Sequence, residues 1–179
     1  MMDLPDRIIP RIGVSAMKHG ATVVKEFEMN GVYSTASYLG IVDAQNKART
    51  LQIMSRNGLP IPQTVFSVDA ENIGEQIDLL GGSPVIIKLQ EGTHGSGVIL
   101  AESKKSAMSI IDTMHGTNTS ILLQEFIKES NSEDIRAFVV NGKVISSMKR
   151  KGLEEDFRSN IHKGGSGHKV TLTTEEEEI

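Results

Sequence analysis

The chain has no cysteine, which excludes disulfides and thiolate zinc sites and suits a reducing compartment. It has no uninterrupted apolar run near the ~20 residues needed to span a bilayer. Its start, Met1-Met2-Asp3-Leu4-Pro5-Asp6-Arg7, lacks the apolar stretch of a secretory leader. It has no excess of positive charge: the formal net charge is -4, which argues against nucleic-acid binding through bulk basicity. The basic run Lys149-Arg150-Lys151 is either a local patch or solvated surface. No repeat of fixed period is found, and no low-complexity tract except the terminal glutamates. Together these absences predict a soluble, cytoplasmic protein with no direct nucleic-acid or membrane partner. What remains is 179 residues, 38% hydrophobic and 23% charged, enough to bury a core as one domain or one and a fraction.

The hydrophobic pattern predicts alternating strands and helices. Ile8 to Ile12 reads as a short strand, and His19 to Asn30 as a helix with Val23, Val24 and Phe27 at helical spacing before Gly31. Two elements this short suggest the end of a preceding α/β domain. Asp43 is placed to cap a second helix carrying Ala44, Ala48, Leu51 and Met54, with Lys47 in its first turn and Gly58 beyond its end. The Leu59-Pro60-Ile61-Pro62 segment reads as an extended connector. There follow a strand from Thr64 to Val68, a helix after Asp69, the Gly81-Gly82 stop and a strand from Val85 to Leu89. A second unit repeats the scheme: strand Val98 to Ala101, a helix capped by Ser103 and ended by Gly116, and strand Ile121 to Ile127. The fold class is α/β with an antiparallel addition.

That addition is a hairpin. Asn141-Gly142 between two apolar runs predicts a two-residue type I′ turn, since both positions need φ > 0. The turn sets the register: Val140 opposite Lys143, Phe138 opposite Ile145, Arg136 opposite Ser147 and Asp134 opposite Lys149. Asp134, Arg136 and Lys149 then share one face, which is either a ligand surface or a solvated outer face.

Several residues carry chemistry, each with a plain structural alternative. Lys88, near the end of the apolar run Val85-Ile86-Ile87, must either snorkel to water or meet an anion. The loop Gly92-Thr93-His94-Gly95-Ser96-Gly97 is either a turn or a backbone wrap for phosphate oxygens. It is neither a Walker A loop, since Gly97 is followed by Val98, nor a Rossmann fingerprint. Gln124-Glu125-Phe126 interrupts an apolar strand, where a carboxylate can simply point to solvent at a sheet edge. Asp156-Phe157-Arg158-Ser159-Asn160, followed by Gly164-Gly165, offers a guanidinium for phosphate or carboxylate recognition, or is a structural loop. The histidines, His162 and His168 included, show no metal-ligand spacing.

In this order the signals resemble the ATP-grasp superfamily, and within it the RimK family of glutamate ligases. The resemblance runs from about Ile9 to the last residue and includes Ile9-Pro10-Arg11-Ile12-Gly13, Lys88-Leu89-Gln90-Glu91-Gly92-Thr93 and Asp156-Phe157-Arg158-Ser159-Asn160. It implies an ATP-grasp fold: two α/β subdomains sandwiching a nucleotide, with residues 1–42 as the end of a pre-ATP-grasp domain and 43–179 as the ATP-grasp domain without its C-terminal part. By resemblance, Lys47 and Lys88 approach the phosphates while Gly92, Thr93, Gly95, Ser96 and Gly97 close over them. The backbone at Glu125 and Phe126 reads adenine, a tyrosine being frequent where Phe126 stands. Asp134 lies on the nucleoside side, Arg158, Ser159 and Asn160 face the phosphates, and Arg158 and Arg136 are the catalytic candidates.

The resemblance also implies the reaction. ATP phosphorylates a carboxylate, and the amine of glutamate displaces phosphate to leave an amide, with Mg2+ or Mn2+ as cofactor and the C-terminus of a ribosomal protein as acceptor. A small-molecule or carrier-protein acceptor, a noncatalytic nucleotide-binding module and a homo-oligomer stay open. Thr173-Thr174-Glu175-Glu176 fits a capping box that starts a helix, the alternative being a disordered acidic tail. With Ile179 so close behind, the sequence suggests a truncated chain whose metal ligands lie beyond Ile179, and hence nucleotide binding without turnover.

Overall fold

A computed structural model describes residues 3–67, 71–90, 97–115, 120–153, 156–159, 161 and 164–179. The chain forms two compact units, Met1–Gly58 and Leu59–Ile179.

In the first unit, β1 (Arg7–Ile8) pairs in parallel with β2 (Tyr33–Ser34), and α1 (Met17–Met29) connects them. The expected strand to Ile12 stops at Ile8, before Pro10, which has no N–H to give to a ladder. Helix α1 buries Ala21 and Val24, while Val23 faces outward. The helix expected from Asp43 is two helices, α2 (Tyr38–Gln45) and α3 (Lys47–Arg56). Ser37 caps α2 by accepting from the Gly40 N–H at 3.0 Å. Asn46, extended at φ -93°, breaks the run and caps α3 by accepting from the Arg49 N–H at 3.0 Å. Asp43 therefore sits inside α2, where its carboxylate lies 3.4 Å from Arg49 Nη1 and its carbonyl accepts from the Thr50 hydroxyl.

The second unit holds two sheets. The first contains β3 (Thr64–Ser67), β4 (Val85–Leu89), β5 (Val98–Ala101) and β6 (Ile121–Glu125), in the spatial order β3-β6-β4-β5 with every pair antiparallel. Helices α4 (Ile73–Leu79) and α5 (Lys104–His115) come from the same unit. Strand alternation divides the sheet cleanly. Val85, Ile87, Ala101, Ile121 and Leu123 join Ile73, Ile77, Leu80, Ala107 and Ile111 in one buried cluster. Residues of the opposite parity, Thr64, Ile86, Lys88, Val98 and Gln124, share the other face. Ser103 caps α5 as expected, its hydroxyl accepting from the Ser106 N–H at 3.1 Å. Val68, Asp69 and Gly116, expected at element ends, lie outside the described residues.

The second sheet is β7 (Glu133–Val140), β8 (Lys143–Lys151) and β9 (Ser166–Lys169), antiparallel in chain order. Asn141 and Gly142 have φ of 49° and 71°, as the type I′ turn requires. The expected register holds only next to the turn. Val139 pairs with Val144 and Phe138 with Ser146, so Ile145 is an extra residue and forms a bulge. Beyond it every partner moves by one: Arg136 faces Met148, and Asp134 faces Arg150 instead of Lys149. Lys149 turns to the opposite face, 2.6 Å from Glu133. The capping box at α6 (Thr174–Glu178) is formed, with Thr173 N–H donating to Glu176 at 2.8 Å and Glu176 N–H to Thr173 at 3.2 Å.

Candidate active site

The two sheets of the second unit border a cleft of about 320 Å³, within the range of small-molecule sites. Ile86, Lys88, Val98 and Gln124 supply its floor from the four-stranded sheet. Glu125, Phe126 and Ile127 form the strand exit, and Glu133, Asp134, Arg150 and the segment Phe157-Arg158-Ser159 come from the other side. Six candidates, Lys88, Glu125, Phe126, Asp134, Arg158 and Ser159, thus meet around one space. The alternation that sends the odd β4 positions into the core and the even ones outward is what puts Lys88 there.

At the exit of β6, Glu125 does not point to solvent from a sheet edge, because β6 lies between β3 and β4. Its N–H donates to the Gln63 carbonyl at 3.0 Å, and its carboxylate accepts from the Gln63 N–H at 2.7 Å. The next N–H, that of Phe126, has no hydrogen-bond partner among the described residues. A backbone donor at the rim of a cleft is what a heteroaromatic ring acceptor requires.

Lys88 donates to the side-chain oxygen of Gln124, so it neither snorkels freely nor stands alone. Asp134 accepts from Arg150 Nε at 2.7 Å, and also from Arg150 Nη2 and the Ser159 hydroxyl. Burial opposes ionisation of Asp134, but the hydrogen bonds from Arg150 and Ser159 and the charges of Arg150 and Arg136 outweigh it and hold the carboxyl below its usual range. The bond to Asp134 correspondingly raises the Arg150 guanidinium. Arg158 forms a two-point pair with Asp156, Nε to Oδ1 at 2.8 Å and Nη2 to Oδ2 at 2.9 Å, and lies 5.3 Å from the Phe157 ring centre. That pairing raises the Arg158 guanidinium further. A fork already engaged on one edge is fixed in direction.

The remaining candidates are not among the cleft's described lining. Arg136 is exposed on the same face of β7 as Asp134 and does not line the cleft. Lys47 opens α3 in the first unit, where burial lowers its ammonium below the ordinary lysine range. Gly97 is the last residue of the candidate phosphate loop, its carbonyl accepting from the Leu89 N–H at 2.8 Å. Gly92, Thr93, Gly95, Ser96 and Asn160 lie outside the described residues. Among the described residues no three His, Asp or Glu side chains converge as a metal site would require.

Three contributors were not singled out from sequence. Arg150 was read only as part of a basic run, and Gln124 only as a neighbour of Glu125. Gly152 is the third: a Cβ there would lie 2.1 Å from the Arg158 carbonyl oxygen, so only glycine lets the Asp156 to Ser159 segment cross so close. The signal for Gly152 was its place just after a strand of alternating pattern, where a lone glycine marks close backbone approach.

A cleft between two sheets, lined by a lysine from a central strand, a backbone donor and an arginine, defines the ATP-grasp class of fold, and solved structures agree. D-alanine–D-alanine ligase from Bacillus anthracis complexed with ATP superposes with a TM-score of 0.70 over 97% of this chain and 55% of that one, at 20% identity. The model of the RimK-like ATP-grasp domain matches residues 44–179 and that of the RimK PreATP-grasp domain residues 1–41. Two curated relatives, each a "Probable alpha-L-glutamate ligase", are 47% identical in Aliivibrio fischeri (strain MJ11) and 50% in Marinomonas sp. (strain MWYL1), both over 171 residues. Those alignments cover 96% of this chain and 57% of each relative, so the chain spans somewhat over half their length. The chain belongs to the RimK family of ATP-grasp proteins.

Proposed function

We propose that this chain is the nucleotide-binding part of an ATP-dependent glutamate ligase, with residues 1–42 as the end of the preceding domain and 43–179 as ATP-grasp. The observation that carries the reading is the convergence of Lys88, the Phe126 N–H, unpartnered among the described residues, and Arg158 on one cleft with an apolar floor of Ile86 and Val98. Adenine stacks on that floor and accepts from Phe126, which narrows the expected backbone contact: the Glu125 N–H already serves Gln63. The phosphates extend toward Lys88 and Arg158.

Transfer of the γ-phosphoryl group to a carboxylate yields ADP and an acyl phosphate. The glutamate amine then attacks the acyl carbon, the C–O bond to phosphate breaks, and an amide and inorganic phosphate remain. The cations act by positioning and by offsetting oxygen charge as anions are brought together. Mg2+ adds charge neutralisation when bound, and no group of described residues is assigned to hold it. The acceptor proposed is the C-terminus of a ribosomal protein, in the cytoplasm.

Calorimetric titration with ADP tests the binding reading. Wild type is expected to bind, and Lys88→Ala to weaken binding at least tenfold while moving the melting temperature by only a few degrees. Loss of the fold with unchanged affinity in the folded fraction would make Lys88 structural. Extension beyond Ile179 to the relatives' length, assayed with glutamate and a peptide acceptor for ADP release, tests the ligase reading.

A further inference from the structure

Gln124 is only 5% exposed and lies in the middle of the four-stranded sheet, yet the reaction gives it no part. Its cross-strand partner is Thr64 on β3, and Lys88 on β4 is its diagonal neighbour, opposite Leu122. All three project from the cleft face by strand parity. At that spacing only a long side chain on the diagonal can be reached.

The hydrogen bonds between them run in one direction. The Thr64 hydroxyl donates its single proton to the Pro62 carbonyl at 2.8 Å. Toward Gln124 it can then only accept, and it does so from Gln124 Nε2 at 2.8 Å. The amide nitrogen being committed to Thr64, the amide oxygen must face Lys88, and it accepts from Lys88 Nζ. With the opposite amide orientation, two N–H groups would meet an ammonium and the buried oxygen would meet a hydroxyl whose proton points elsewhere.

We infer that Gln124 is a positioning residue for Lys88, and that its orientation is dictated by Thr64 through the Pro62-Thr64-Gln124-Lys88 chain. The chain fixes the ammonium over the cleft floor before any ligand arrives. Gln124 does so as a neutral acceptor, whereas a carboxylate at its position would offset positive charge beside the cleft. A lysine loses side-chain entropy when immobilised, and fixing it in advance moves that cost from binding to folding. The inference deepens the nucleotide reading above and rests on it for its ligand, but not for its geometry.

The test uses Thr64→Val, which keeps size and removes the hydroxyl, Thr64→Ser, which restores it, and Gln124→Glu, which replaces the neutral acceptor with a charge. In the ligand-free protein, nitrogen-15 spectra of the lysine ammonium groups are expected to show a slowly exchanging Lys88 signal in wild type and Thr64→Ser that is lost in Thr64→Val. With ligands, Thr64→Val should weaken ADP about fivefold while leaving adenosine unchanged, because adenosine lacks the phosphates that Lys88 serves, and Gln124→Glu should weaken ADP about tenfold. A purely structural role would weaken both ligands together. Identical Lys88 signals in wild type and Thr64→Val would overturn the inference, as would parallel losses for ADP and adenosine. Failure of wild type to bind either ligand would instead overturn the nucleotide reading, with the ammonium spectra still deciding the positioning role.

Discussion

The two sheets of the second unit are stabilised by different forces. In the four-stranded sheet Val85, Ile87 and Leu123 are completely buried against the helices. In the three-stranded sheet Phe138 and Ile145 are each 63% exposed, and its ordering comes from the strand ladder with Asp134, Arg150 and Ser159 linked across it. Apolar burial scales with area and depends little on pH, whereas a charged network depends on protonation and salt. One wall of the cleft is therefore a rigid platform, and the other is held by groups that solution conditions reach.

Truncation in the two sheets should break the symmetry most visibly. Ile87→Ala is expected to lower the unfolding free energy by about 3 kcal/mol, because a fully buried side chain leaves a cavity, while Ile135→Ala at a half-exposed position costs under ~1 kcal/mol. Urea denaturation measures both, and equal losses would show that the second sheet has a core of its own.

Gly152→Ala should come next, at roughly 2 kcal/mol, since the added carbon meets backbone rather than a flexible side-chain end. Its distinctive outcome is local: displacement of the Arg158 segment, read as weaker ADP binding with the four-stranded sheet's amide protection unchanged. Full ADP affinity would mean that the segment can cross without Gly152.

Asp134→Asn is expected to cost about 1–2 kcal/mol, discounted for the partial exposure of its carboxylate, as it leaves the largely buried Arg150 without its counter-charge. The pH dependence has a definite sign. Folding lowers the Asp134 pKa, so the stabilisation is fully present above the unfolded value near 4 and disappears as pH falls through the lower folded value. Amide protection of β7 and β8 should fall over that acid window, and the variant should remove the trend. At the small end, Glu133→Gln should leave the melting temperature unchanged within error, because its pairs with Lys149 and Lys151 are only half-buried and open to solvent screening. A clear shift there would extend the charged network to the opposite face.

What was legible in the sequence follows the same division. Val85 to Leu89 could be bounded to the residue because an apolar run sits between glycine stops, and the Asn141-Gly142 turn because few residues tolerate both its φ values. The Asp43 helix failed since Asp43 and Asn46 are both good caps three residues apart, and only packing decides between them. Gln124 was hidden because a polar residue in a strand looks outward-facing until its strand is known to be central. The Asp134 partner was missed because a bulge at Ile145 carries no residue signature in a run of ordinary strand formers.

That bulge acts as a frame-setter for everything after it in β8. Three consecutive basic residues, Lys149, Arg150 and Lys151, pass the β7 carboxylates like teeth of a gear, and the one surplus residue at Ile145 decides which of them engages Asp134. Were Ile145 paired in the ladder instead of bulged out, every later partner would move by one, with the flexible ammonium of Lys149 where the planar fork of Arg150 now grips both oxygens. The identity of a cleft-wall partner is thus set by whether one residue some distance away along the strand is paired or bulged out, so a change of register there would rewire the charges without altering a single charged side chain.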